Sequence, residues 1–168
     1  MLALILIIVG VVSRIAIHSP NFTPVIAVAL FSGVYLNKKY ATAIPLILMI
    51  ASDIVIGFHD TILYTWGSVV LISLIGLVIK QNKRVTTIAI AGTFSSILFF
   101  IITNFGAWLS PLYPHTWQGL QECYIAAIPF FRNTFLSTVL YGAVLFGAYE
   151  MIARRVKNTR FAGILIAS

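Results

Sequence analysis

Four ionisable residues interrupt otherwise apolar runs in this 168-residue chain: Arg14, Asp53, Arg132 and Glu150. A charge near the middle of a bilayer costs roughly 2.5–3.5 kcal/mol on insertion scales, so such residues pair with one another or face a cavity. Asp53 has two candidate partners, Arg14 and Arg132, and a structural ion pair of either kind would hold helices together. The functional role open to either arginine is to face an outer cavity and meet an anionic or hydrogen-bonding group of a ligand. Arg132 suits that role better, because Asn133 follows it and the helix-breaking Pro129 is near. Glu150 stands four residues before Arg154, the spacing of a pair on a helix surface.

His18, His59, His115 and Cys123 carry the remaining reactive groups. Three histidines and a carboxylate are a ligand set for zinc, nickel or cobalt. Each histidine comes from a different segment, and no HxxxH-type spacing preorganises them. Histidines bonded to loop backbone are expected instead, and no metal. Cys123 reads as a small buried hydrophobe in preference to a soft metal ligand. The sequence holds no GxSxG, no HExxH and no glycine-rich phosphate loop, so neither an enzyme nor a cofactor is expected. Asp53 with His59 is the one candidate acid/base pair.

The elements that position these residues follow from composition. The chain is 60% hydrophobic and 9% charged, with a mean hydropathy of +1.02. Soluble domains carry roughly 25% charged residues, so this chain cannot cover a water-facing surface. It reads as a single integral membrane domain, residues 1–168, solvated by membrane lipid. Its net charge of +7 is juxtamembrane and points to no nucleic acid. The N-terminus is apolar from Leu2 without a basic flank, which reads as a retained helix and not a signal peptide.

Spanning helices need about 20 apolar residues, and six runs approach this: Met1 to Ile17, Phe22 to Leu36, Tyr40 to Phe58, Leu63 to Ile79, Val85 to Thr103, and Tyr124 to Ile152. Nine of the eleven basic residues follow every second run: Lys38 and Lys39; Lys80, Lys83 and Arg84; Arg154, Arg155, Lys157 and Arg160. By the positive-inside rule, the expected fold is an all-α bundle of six transmembrane helices with both termini cytoplasmic. Continuous apolar runs argue against a β-barrel.

Three segments then collect on the outer side. The first, residues 17–24, is bracketed by Pro20 and Pro24 and should form a rigid irregular turn. The second runs from Asp53 to Asp60. The third, from Thr103 to Cys123, is expected to be a long loop of the kind that forms lids. Ala29 and Gly33 make a small-xxx-small pair on the second helix, and Gly142 and Gly147 do something similar on the sixth. Such residues serve packing inside the bundle or docking of another subunit.

Four segments together carry a resemblance: Ser19-Pro20-Asn21-Phe22-Thr23-Pro24 with Ala29-Leu30-Phe31; Ser52-Asp53-Ile54-Val55-Ile56-Gly57-Phe58-His59; Thr103-Asn104-Phe105-Gly106-Ala107-Trp108; and Ala127-Ile128-Pro129-Phe130-Phe131-Arg132-Asn133-Thr134. They resemble an uncharacterised family of small bacterial inner-membrane proteins, which is similar to the S components of energy-coupling-factor (ECF) transporters. The resemblance implies a six-helix substrate-binding subunit that captures a vitamin or related nutrient in an outward cavity. It also implies partners, an ECF coupling subunit with its ATPases, that drive release inside. One cobalamin-binding group within that class uses a cysteine on cobalt, a part Cys123 would play. The chain departs from the class in two places: its first helix lacks the usual Ala-xxx-Ala coupling face, and residue 2 is Leu where nickel and cobalt binders have His.

Asn21, Phe22, Asp53, His59, Asn104, Trp108, Arg132 and Asn133 are the residues expected to line the site, the aromatics stacking on a flat ligand and the Asn and Arg groups fixing its polar edge. The alternative is a structural or assembly subunit of a larger membrane complex, whose outer motifs would touch partner proteins.

Overall fold

The computed structural model describes residues 1–16 and 20–166. Among them there are seven helices and no strand: α1 (Leu2–Ala16), α2 (Val25–Tyr35), α3 (Ala43–Ile56), α4 (Ile62–Ile79), α5 (Val85–Leu109), α6 (Trp117–Val156) and a single turn, α7 (Ala162–Leu165). Helices α4, α5 and α6 are long and apolar enough to cross a membrane. Helices α1, α2 and α3 are apolar but shorter, at 15, 11 and 14 residues. At 1.5 Å per residue α2 rises only about 16 Å, against a hydrocarbon core of about 30 Å.

The shortness of α2 goes with its position. Every one of its residues is buried, and it touches each of α1, α3, α4, α5 and α6. A helix that is hydrophobic all round belongs inside a bundle. Phe31 packs its ring edge against Phe146 at 5.2 Å and Tyr149 at 5.8 Å. Leu36 ends the helix in extended geometry. Ser32 Oγ lies 2.8 Å from the Ala29 carbonyl and 2.7 Å from that of Ala41, which ties the following turn back to the helix.

The burial pattern is inverted relative to a water-soluble bundle. Ser68, Ser73, Ser95, Ser96, Ser137 and Thr138 are buried between helices, while Phe94, Ile101, Ile128, Val139 and Val144 face outward. Small hydroxyl residues let membrane helices approach and bond to one another. Ser96 and Thr138 do so across α5 and α6, their hydroxyl oxygens 3.1 Å apart.

The third outer segment is mostly helix, not a long loop. Helix α5 runs on to Leu109 and α6 starts at Trp117, leaving only residues 110–116 between them. Two local signals start α6 early. Thr116 caps it by accepting from the Gly119 amide at 3.1 Å, as N-cap threonines do. Gln118 donates to Glu122 one turn later at 3.0 Å. Helix α6 is thus 40 residues long and contains Pro129.

The basic clusters gather at one end. Lys80 Nζ donates to the Leu36 carbonyl at 2.7 Å, Lys83 Nζ lies 4.5 Å from the centre of the Tyr35 ring, and the Tyr35 hydroxyl donates to Glu150 Oε1 at 2.6 Å. Glu150 therefore bonds across to α2, and the expected surface pair with Arg154 does not form. Its inward rotamer is set by the buried tyrosine, whose hydroxyl needs an acceptor.

Candidate functional site

At the other end of the bundle a cleft of about 440 Å³ opens, within the 300–1,000 Å³ typical of small-molecule sites. Six helices and two turns build it, α2 through Val25 and Ile26. Arg14 enters from α1, Met49 from α3, and Thr65 from α4. Helix α5 offers one face, Phe99, Thr103 and Ala107, at the four-residue spacing that stacks side chains. Thr134 enters from α6, and the turns before α2 and α4 add Asn21, Thr23, His59 and Thr61.

At the base of the cleft lies the ion pair. Asp53 is 0% exposed and Arg14 only 10%, with Arg14 Nη2 2.6 Å from Asp53 Oδ1. That contact has the distance of an ion pair but not the alignment of a hydrogen bond, so Oδ1 is held by charge. Oδ2 accepts from Trp66 Nε1 at 2.8 Å. Arg14 Nη1 donates to Ser52 Oγ, and Ser52 Oγ in turn donates to the Met49 carbonyl at 2.8 Å. Of the two arginines open to Asp53, the structure selects Arg14. Arg132 is exposed on α6 and lines no part of the cleft.

The wall above is rich in acceptors. Thr65, Thr103 and Thr134 each donate to the carbonyl one turn back, at 3.2, 2.8 and 3.1 Å. A hydroxyl that has spent its proton keeps its lone pairs. Asn104 Nδ2 likewise donates to the Phe100 carbonyl at 2.8 Å, leaving its Oδ1 as an acceptor. His59 Nδ1 is 3.0 Å from Thr61 Oγ1.

Of the eight residues expected to line a site, Asn21, His59 and Asn104 meet on the cleft wall. Asp53 stands behind Arg14. Phe22 packs against Tyr141, ring centres 6.2 Å apart. Trp108 donates to the Pro114 carbonyl at 3.0 Å and holds the 110–116 turn, with the His115 ring 5.7 Å away. Asn133 donates to the Pro20 carbonyl at 3.0 Å, clipping α6 to the turn that carries Asn21. Among the described residues the only rings on the wall are Phe99 and the His59 imidazole, so stacking on a flat ligand has little to rest on. The threonines were not expected, because an apolar helix reads through them without a break. Their signal was the spacing of Thr61 with Thr65 and of Phe99 with Thr103.

Among the described residues no three His, Cys, Asp or Glu side chains gather as a metal site would require. His18 lies outside the described residues. Cys123 is buried with its Sγ 3.4 Å from the Asn104 carbonyl.

Asn21 holds a positive φ of 57°, a left-handed conformation that asparagine tolerates and β-branched residues do not. Asn21→Val is expected to lose about 1–2 kcal/mol of unfolding free energy, and Asn21→Gly almost none, as read by denaturant titration in mixed micelles. Equal losses would mean that the side chain, and not the backbone, fixes this turn.

The model of DUF6580, a family of unknown function, matches residues 1–160. No curated protein matches the chain, and no solved structure matches it.

Proposed function

The chain belongs to DUF6580, and from that premise we propose that it is a membrane-embedded binding subunit. In this reading it resembles the S components of ECF transporters and captures a small uncharged, donor-bearing molecule from outside the cell. The observation that carries the proposal is the cleft of about 440 Å³, at the opposite end of the bundle from the basic clusters. Among the described residues its one cation, Arg14, is already neutralised by Asp53, and Thr65, Thr103 and Thr134 have given their protons to backbone carbonyls, which leaves their oxygens as acceptors. A ligand with hydroxyl or amide N–H groups satisfies such a wall, whereas a carboxylate would meet acceptors.

The six-span arrangement is part of the same proposal. Irregular backbone is tolerated at membrane depth where it lines a water-filled cavity or is buried in protein. The 20–24 and 57–61 turns line this cleft, and α2 is enclosed on all sides. The three shorter helices therefore need not match the bilayer thickness by themselves. The basic end is assigned to the cytoplasm by the positive-inside rule, and with it both termini. Release to the inside would need an energised partner, such as a coupling subunit with ATPases, because the chain has no nucleotide-binding motif.

Mass spectrometry of molecules extracted from protein purified in mild detergent tests the reading. A neutral polar nutrient is expected in the wild type. Thr103→Val with Thr134→Val, which preserves shape, should weaken retention about 30-fold if each lost hydrogen bond is worth about 1 kcal/mol. Arg132→Ala should leave retention unchanged. Wild-type protein that is consistently empty and held in a stoichiometric membrane complex would instead favour an assembly subunit.

A further inference from the structure

Nine cations crowd the basic end, and the only acid in those segments, Glu150, is engaged by the Tyr35 hydroxyl. Among the described residues the only ion pair is Arg14 with Asp53, so none of the nine has a carboxylate partner. Burial already pushes the Lys83 ammonium below lysine's ordinary value, with Glu150 opposing that shift. The described residues therefore supply little counter-charge for this end.

One place offers more than diffuse charge. A shallow, open groove lies on the surface of α6, formed by Gly147, Glu150, Met151, Arg154 and Arg155. Nothing stands within 4 Å of where a Gly147 Cβ would be, so the floor is open. The groove continues an apolar strip. Leu140, Val144, Gly147 and Met151 are spaced four, three and four residues apart, which places them on one helix face. The three large side chains are 52%, 55% and 55% exposed. Leu140 to Met151 rises about 16 Å, close to the roughly 15 Å of one hydrocarbon leaflet. Arg154 and Arg155 lie one turn further along the same face.

We propose that this face of α6 binds an anionic phospholipid, its phosphate held by Arg154 and Arg155 and an acyl chain laid along Leu140, Val144, Gly147 and Met151. The arginines offer a forked donor set matched to phosphate. The apolar strip of leaflet length selects a lipid over a soluble anion, which would need only the charges. Glu150 borders the groove with its Oε1 turned to the Tyr35 hydroxyl, and its single negative charge is outnumbered by the two arginines. The site is independent of the cleft at the other end, and stands or falls separately from the ligand reading.

The test uses full-length protein reconstituted in phosphatidylcholine vesicles containing phosphatidylglycerol, then extracted in mild detergent for native mass spectrometry of retained lipid. Bound phosphatidylglycerol, and no bound phosphatidylcholine, is expected. Each basic side chain near the surface is worth roughly fivefold in anionic-lipid affinity, so Arg154→Ala with Arg155→Ala should lower retention about 30-fold. Lys157→Ala with Arg160→Ala removes the same charge beyond the strip; because detergent extraction strips lipid held only by diffuse charge, it should change retention within about threefold. Gly147→Leu fills the open floor with all charges intact and should also lower retention, while circular dichroism shows the helix content unchanged. Equal losses from the two double variants would reduce the site to diffuse charge and overturn the proposal. So would unchanged retention in Gly147→Leu, displacement of the lipid by added inorganic phosphate, or a protein partner seated on α6 in place of lipid.

Discussion

Arg14→Ala is expected to destabilise the protein by about 3–5 kcal/mol, the cost of leaving a buried charge without its partner. Asp53 is 0% exposed, and without Arg14 its carboxylate would keep only the Trp66 N–H. The reverse change should be milder. Arg14 lines the cleft, so in Asp53→Ala the guanidinium can turn toward water and keep its bond to Ser52. Arg14→Met combined with Asp53→Asn removes both charges while an amide oxygen still accepts from Trp66. That double variant should recover most of the stability, because a neutral pair avoids the desolvation that the ion pair must offset. Unfolding of Arg14→Met, Asp53→Asn and their double variant in mixed micelles, arranged as a double-mutant cycle, reads the coupling directly. A coupling below about 0.5 kcal/mol, or a larger loss in Asp53→Ala than in Arg14→Ala, would mean that the pair does not join α1 to α3.

How the pair was chosen shows what the sequence encodes and what it omits. Hydropathy gives each residue a depth along the bundle, and Asp53, Arg14 and Arg132 share a depth. It gives no azimuth, so Arg14 and Arg132 were equal candidates until α1 was seen beside α3. The same limit hid Trp66, which lies inside an unbroken apolar run, yet an indole N–H in a tight interior almost always finds an acceptor. Polarity misled at the start of α6. Gln118, Gln121 and Glu122 lower the hydropathy enough to suggest a loop, whereas helical hydrogen bonding there needs no apolar environment. The wall threonines were invisible for a related reason, since Thr65, Thr103 and Thr134 each satisfy a backbone carbonyl and so sit quietly in apolar helices. Charge clustering, by contrast, was fully legible, because lysines and arginines are costly in a bilayer core and nine of the eleven stand at or beyond helix ends.

Gly33→Ala is expected to cost about 3 kcal/mol or more, at the upper end of overpacking effects. A Cβ on Gly33 would meet the Ser73 carbonyl, and would stand 2.7 Å from the Gly76 Cα and 2.8 Å from the Leu77 amide nitrogen. All three obstacles are backbone, so no rotamer change relieves them and α2 must move off α4. Ala29 and Gly33 had been paired along one helix; the partner that matters, Gly76, is on the other, where its own Cβ would strike the Leu30 carbonyl. Because α2 touches every other long helix, the displacement would also loosen the Phe31 cluster and the turn that carries Asn21 onto the cleft wall. Loss of stability and loss of ligand retention should therefore appear together. Gly142→Ala and Gly147→Ala are the opposite case. Neither Cβ meets anything within 4 Å, so each should gain up to about 1 kcal/mol of helix propensity. Unfolding titrations of the three variants decide it: if Gly33→Ala unfolds no earlier than Gly147→Ala, the close α2–α4 crossing is not what holds the bundle together.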